Sequence, residues 1–179
     1  MLQDIQEILY SEEQLRGRIK ELGEQISRDY KGKELLLVGI LKGSVMFMSD
    51  LLKEITIPCQ MDFMAVSSYG MSSTSSGIVR ILKDLDYEIE GKNVLVIEDI
   101  IDSGTTLKYL MKYLKSRNPE SVEIACLLNK PDRRKVELDV RYLGYDVPDY
   151  FLVGYGLDYA EMYRNLPFIG ILKERVYTK

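Results

Sequence analysis

Apolar positions along this chain switch between two periods. After Ser11, which has Gln14 three residues on as a capping-box partner, Leu15, Ile19, Leu22 and Ile26 recur at helical spacing and predict an amphipathic first helix. Residues 34–41 form a Leu-rich run without polar alternation, the pattern of a strand buried on both faces, and a helix over 45–54 follows. Strands are expected over 57–66, entered through Pro58, and over 78–85. After a Gly91-Lys92-Asn93 turn, Val-Leu-Val-Ile at 94–97 is apolar and largely β-branched, a second doubly buried strand that the acids Glu98 and Asp99 end abruptly. A helix over 105–116 and a buried strand over 121–128 come next. Strands over 140–142 and 151–157, a turn at Pro148-Asp149 and a closing edge strand over 169–177 complete the series. Strands alternating with helices predict an α/β fold whose mainly parallel central sheet is flanked by helices. No repeat or boundary divides it, so residues 1–179 are expected to form one domain.

Two strand-to-helix junctions carry candidate chemistry. Asp102-Ser103-Gly104-Thr105-Thr106 offers hydroxyls, a glycine that lets backbone come close, and the free amides of a helix N-terminus, together an anion cradle. Glu98 and Asp99 stand beside it at the carboxyl edge of the strand, where open α/β sheets bind ligands. Two acids beside a phosphate cradle suit a ligand bearing a phosphate together with a diol or a metal. Leu41-Lys42-Gly43-Ser44 is the second junction; alone it reads as a glycine turn with a solvated lysine, and its residue order is not that of a Walker A loop. Residues 67–77, rich in Ser and Gly, read by composition as a linker, yet an excursion of this length between two strands in a compact domain is more often functional.

Composition narrows the chemistry. The chain has no histidine, which excludes Ser-His-Asp and Cys-His arrangements and most zinc sites, so acid-base work falls to Asp, Glu, Lys or Tyr. A net charge of −4 argues against sequence-independent nucleic-acid binding and suits a magnesium site better. No segment approaches the roughly 20 apolar residues of a membrane span, and the start lacks a basic and apolar leader pattern, so no membrane partner and a cytoplasmic location are expected. Cys59 and Cys126, both in apolar surroundings, are expected as buried free thiols.

Val-Leu-Val-Ile-Glu-Asp-Ile-Ile-Asp-Ser-Gly-Thr-Thr-Leu at 94–107 closely resembles the phosphoribosyl-diphosphate signature of type I phosphoribosyltransferases. The likeness extends over nearly the whole chain through Leu41-Lys42-Gly43-Ser44, the Ser68-Tyr69 pair, Lys130 with Arg134, and Phe151 to Asp158 followed by Arg164. These resemble the bacterial hypoxanthine(-guanine) branch of the family. The resemblance implies transfer of the ribosyl 5-phosphate group from phosphoribosyl diphosphate to N9 of a 6-oxopurine, with Mg2+ as cofactor. It implies that Glu98 and Asp99 hold the ribose hydroxyls and bias the metal shell, that Asp102, Ser103, Gly104, Thr105 and Thr106 grip the 5-phosphate, and that Asp158 reaches a second metal through water. Lys42, Gly43 and Arg164 would accept pyrophosphate. Phe151 would stack on the purine, backbone near Leu152 and Asp158 would read its edge, and Lys130 would donate to O6. Asp102 would handle the proton near N7. Ser68 and Tyr69 would belong to a lid over 67–77, a hood from about 129–172 with N-terminal residues would cover the site, and the chain would be a homo-dimer or tetramer. An RNA-binding regulator on the same fold fits the acidic charge and the purine-site residues poorly, and a receiver-like signalling domain lacks the Ser-Gly-Thr-Thr loop.

Overall fold

The computed structural model describes residues 1–69 and 78–178. In chain order the elements are β1 (Ile5–Tyr10), α1 (Glu12–Asp29), β2 (Leu35–Leu41), α2 (Val45–Glu54), β3 (Gln60–Tyr69), β4 (Ile78–Lys83), β5 (Asn93–Ile101), α3 (Thr105–Lys115), β6 (Ser121–Asn129), β7 (Tyr142–Asp146), β8 (Leu152–Val153), β9 (Ile169–Leu172) and the one-turn α4 (Glu174–Tyr177). Six strands form the central sheet in the order β4-β3-β2-β5-β6-β7, parallel from β3 to β7, with β4 antiparallel at one edge. This is the expected mainly parallel α/β arrangement.

The unbroken apolar runs are explained by the two faces they serve. In β5, Val94 and Val96 pack with Leu107, Leu110 and Leu114 of α3, while Leu95 and Ile97 pack with the cluster of Leu15, Ile19, Phe47 and Leu51 from α1 and α2. Successive residues point to opposite faces, and both are covered, so no polar position interrupts the strand. The capping box starts α1 as its spacing predicts: the Gln14 amide donates to Ser11 Oγ at 3.3 Å and the Ser11 amide donates to Gln14 Oε1 at 2.9 Å. Because β2 leads into α2 on one face and the adjacent β5 into α3 on the other, the crevice between their carboxyl ends is a topological switch point.

β1, β9 and β8 make a second, antiparallel sheet whose Leu152, Ile169 and Ile171 join the main core. Here several expected elements need correction. β1 was not expected, since Ile-Gln-Glu-Ile-Leu-Tyr has neither clean alternation nor much burial, and its pairing with β9 supplies what its sequence does not. The expected edge strand over 169–177 is the central strand of this sheet, ends at Leu172 and turns into α4. Of the strand expected over 151–157, only Leu152–Val153 forms, because Gly154 (φ 95°), Tyr155 (φ 50°) and Gly156 (φ 96°) turn the backbone through left-handed conformations. The strand expected over 140–142 instead begins at Tyr142. It continues through Gly144, where a Cβ would overlap the Leu127 carbonyl of the neighbouring strand. β7 thus belongs to the large sheet although it lies inside the span expected for the hood.

Residues 57–59 precede β3 and do not enter it, and at the far end Ser67, Ser68 and Tyr69 extend it by pairing with Arg80, Val79 and Ile78. The first three residues of the expected lid are therefore sheet; residues 70–77 of that lid lie outside the described residues. Cys126 is a buried free thiol as expected, whereas Cys59 is only half-buried and lies before β3.

Candidate active site

At the carboxyl end of β5 the strand does not stop at its acids. Pairing with β6 continues through Glu98 opposite Cys126, Ile100 opposite Leu128 and Ile101 opposite Asn129, so Glu98 and Asp99 are strand residues whose side chains alternate. This corrects the expected end at Ile97. Glu98 faces a cavity of about 160 Å³ lined also by Asp102, Ser103, Gly104 and Thr106. Asp99 faces a neighbouring cavity of about 240 Å³ lined by Ile100, Asp102, Lys130, Phe151, Leu152, Leu157 and Asp158. A wider open groove of about 940 Å³ lies beside residues 134–140, but the side chains around it come largely from that one segment.

Gly104 shapes the loop between β5 and α3. It adopts a left-handed φ of 78° at the cap of α3, and a Cβ there would come within 2.8 Å of Leu138. Ser103 Oγ accepts the Thr105 amide at 3.4 Å, so the hydroxyls are gathered at the mouth of the helix. The β2–α2 loop closes the other side. Its Leu41–Lys42 peptide is cis, a Cβ on Gly43 would overlap the Asp99 carboxylate, and a Cβ on Gly156 would overlap the Gly43 carbonyl. Glycine at 43 and 156 is what lets three segments meet at this point.

Lys130 is buried, not solvated as its position in a polar segment suggests when read alone. Its Nζ donates to the Tyr150 carbonyl at 2.8 Å and to Asp149 Oδ1 at 3.3 Å, and lies 3.5 Å from Asp102 Oδ1. Across the same cavity one face of Phe151 is stacked on Tyr177, with centroids 4.7 Å apart and planes 22° apart, and Phe151 and Tyr159 form a T-shaped pair. Arg164 pairs with Asp158 at 2.9 Å and donates to the Gly156 carbonyl at 2.8 Å. Lys42 pairs with Glu161 at 2.9 Å.

A phosphoribosyl transferase domain model matches residues 6–160. The hypoxanthine-guanine phosphoribosyltransferase of Streptococcus agalactiae is 56% identical over 176 residues, covering 98% of each chain. That of Mycobacterium tuberculosis is 52% identical over 180 residues, covering 97% of this chain and 89% of its own. The crystal structure of a hypoxanthine phosphoribosyltransferase from Staphylococcus aureus superposes with a TM-score of 0.97 at 54% identity, over 100% of this chain and 97% of that one. The chain belongs to the hypoxanthine-guanine phosphoribosyltransferase family.

The site of this phosphoribosyltransferase is electrostatically tense. Glu98 and Asp99 lie in the floor of the cleft, only partly accessible to solvent. Burial and then the charge of Asp99 push the Glu98 carboxyl well above the ordinary carboxylate range. Burial raises Asp99 to about 6, against the lowering effect of the Ile100 amide that donates to it at 2.7 Å. Both shifts favour the protonated acid in the folded state, so this contribution to stability is greatest in acid and is lost as pH rises through about 6. Asp99→Asn is accordingly expected to raise the melting temperature at pH 8 in a chelator by a few degrees, about 2–4 °C per kcal/mol. The gain should shrink towards pH 5. Thermal melts at the two pH values check this; an equal or larger gain at pH 5 would count against the buried-pair explanation.

Some residues of the site were not visible in the sequence of this phosphoribosyltransferase. Asp149, which fixes Lys130 and pairs with Arg133 at 3.1 Å, was read only as part of a turn. Tyr177 was placed on a strand, and Glu161 was not singled out although it lies three residues before Arg164. No periodicity or motif marks them; they are found through the partners that folding brings to them.

Proposed function

We propose that this enzyme transfers the 5-phosphoribosyl group from phosphoribosyl diphosphate to N9 of hypoxanthine and guanine, giving IMP and GMP with release of pyrophosphate. The observation that carries this reading is the meeting of a phosphate-type loop, two floor carboxylates, a buried lysine and an aromatic ring in two adjoining cavities at the switch point. Ser103, Gly104, Thr105 and Thr106 would hold the 5-phosphate, and Glu98 and Asp99 the ribose hydroxyls. Lys42, Gly43 and Arg164 would receive the pyrophosphate. The base would lie against the face of Phe151 that Tyr177 leaves open, with Lys130 donating to O6, backbone near Leu152 and Asp158 reading its edge, and Asp102 accepting or returning the proton near N7. Incubating the purified protein with phosphoribosyl diphosphate, Mg2+ and each of hypoxanthine, guanine and adenine tests it; the reading fails if no nucleotide forms from the first two.

Magnesium suits the donors present. Among the described residues no three metal-binding side chains form a closed cage, and Mg2+ needs none, since it keeps several waters and takes one or two carboxylates together with substrate phosphates. Glu98 and Asp99, two neighbouring carboxylates whose proton affinity is raised chiefly by burial, would bias its shell, and Asp158 would reach it through water. Bound there, the ion would neutralise charge that develops on the departing pyrophosphate.

Gly43→Ala tests the contact between loops. The added methyl must displace the Asp99 carboxylate or the loop, and such overpacking costs about 1–3 kcal/mol. We expect the KM for phosphoribosyl diphosphate to rise roughly tenfold, with a smaller change for hypoxanthine. Equal changes in both would place the effect outside the diphosphate side of the site. Among the described residues no helix is long and apolar enough to cross a membrane, which suits the proposed cytoplasmic enzyme. We propose a homo-dimer or tetramer, to be checked by sedimentation.

A further inference from the structure

The two cations assigned above to pyrophosphate share one partner. Glu161 Oε2 lies 2.9 Å from Lys42 Nζ, and its other oxygen, Oε1, lies 3.3 Å from Arg164 Nη2. A single carboxylate thus bridges a lysine and an arginine that come from separate parts of the chain. It does so with two oxygens, as an incoming diphosphate would.

The backbone under this carboxylate is fixed. Ala160, Glu161 and Tyr163 adopt left-handed φ values of 51°, 64° and 77°, and Tyr159 and Met162 exchange amide-to-carbonyl bonds of 3.2 and 3.0 Å across the turn. The Glu161 amide is tied to Asp158 Oδ2 at 2.9 Å. The side chain is open to solvent: Glu161 is 65% exposed and Lys42 67% exposed, so no packing stands in the way of the carboxylate leaving its two cations. Arg164 is held more firmly by Asp158 and the Gly156 carbonyl, and its Nε, buried, has no partner among the described residues. The guanidinium is therefore anchored with donor capacity unused.

We infer that Glu161 is a displaceable counter-ion of the pyrophosphate subsite: it bridges Lys42 and Arg164 in the free enzyme, gives way to the diphosphate, and closes on the cations again as pyrophosphate leaves. This rests on the assignment of Lys42 and Arg164 to pyrophosphate. Its consequence is a trade between affinity and release. A like-charged group that must be displaced weakens diphosphate binding, and the same group returning to its cations hastens departure. Exposed ion pairs are modest, so an effect of roughly two- to tenfold is expected.

Glu161→Gln keeps the size and removes the charge. Magnesium pyrophosphate should bind this variant two- to tenfold more tightly than it binds the unaltered enzyme, by calorimetry and as a product inhibitor, while the KM for hypoxanthine stays the same. The gain should shrink in a Lys42→Ala background and at high salt. Unchanged or weaker pyrophosphate binding by Glu161→Gln overturns the inference, as does a gain of the same size in the Lys42→Ala background. The two assignments fail separately. If Lys42→Ala alone leaves pyrophosphate affinity unaltered, the subsite itself is misplaced. If Lys42→Ala weakens binding but Glu161→Gln does not tighten it, only the role of Glu161 falls.

Discussion

Replacing Lys130 by alanine is expected to lower kcat/KM for hypoxanthine by roughly 10- to 150-fold, the worth of a hydrogen bond from a charged donor, while the KM for phosphoribosyl diphosphate changes little. The ammonium is buried and already directed by the Tyr150 carbonyl and Asp149, so under the proposed assignment it would meet the base in one geometry. An ammonium only donates. In the proposed role it would satisfy the 6-carbonyl of hypoxanthine or guanine and oppose the 6-amino group of adenine. Adenine also lacks the N1 proton that a backbone carbonyl near Leu152 would accept. Two unmatched polar groups in a desolvated pocket should hold adenine back by about 10⁴-fold in the unaltered enzyme. Steady-state rates on the three bases decide the matter: adenine turnover comparable to that of hypoxanthine would remove both the role of Lys130 and the preference for 6-oxopurines.

Asp102→Asn is expected to keep phosphoribosyl diphosphate affinity and to lower turnover by about 10²–10⁴-fold, the range of general acid-base contributions. Asp102 lines both cavities, beside the phosphate loop in one and Lys130 in the other. The amide would preserve the loop's shape and lose the proton acceptor that the proposed mechanism assigns to this position. With no histidine in the chain, no imidazole stands by to take over. Single-turnover rates separate the chemical step from release. A variant with unaltered turnover would leave Asp102 as a structural residue of the loop.

What the sequence revealed depended on how local the determining physics was. The anion loop and its acids are contiguous from Glu98 to Thr106, and the capping box at Ser11 needs only three residues of context. The doubly buried strands were legible because Leu35 to Ile40 and Val94 to Ile97 carry no polar residue. The misreadings arise where a distant backbone decides. The strand expected over 140–142 in fact runs on from Tyr142 through Gly144, the place where β7 approaches Leu127 too closely for any side chain. Gly154 and Gly156 likewise serve approaches to Phe168 and Gly43, and so break a run whose residues read as strand. β1 has no strong pattern because its structure is supplied by β9, and Glu98 and Asp99 continue a strand because β6 offers pairing beyond the apolar run.

The second sheet pairs Ile5 with Leu172, nearly the full length of the sequence apart, and Arg175 and Lys173 fasten α4 to Asp4 and Gln3. The six-stranded sheet, by contrast, is complete once Asp146 has been made. The loop at 102–106 and its acids therefore lie wholly within the sheet that closes at Asp146, while β1 depends on a partner from the last residues of the chain. Phe151 takes the Tyr177 ring behind it from those same last residues. The phosphate side of the cleft is thus built from the sheet that closes at Asp146, and the wall behind the base from the segment that follows it, so substitutions after residue 146 should alter the choice of base more than the hold on the sugar phosphate.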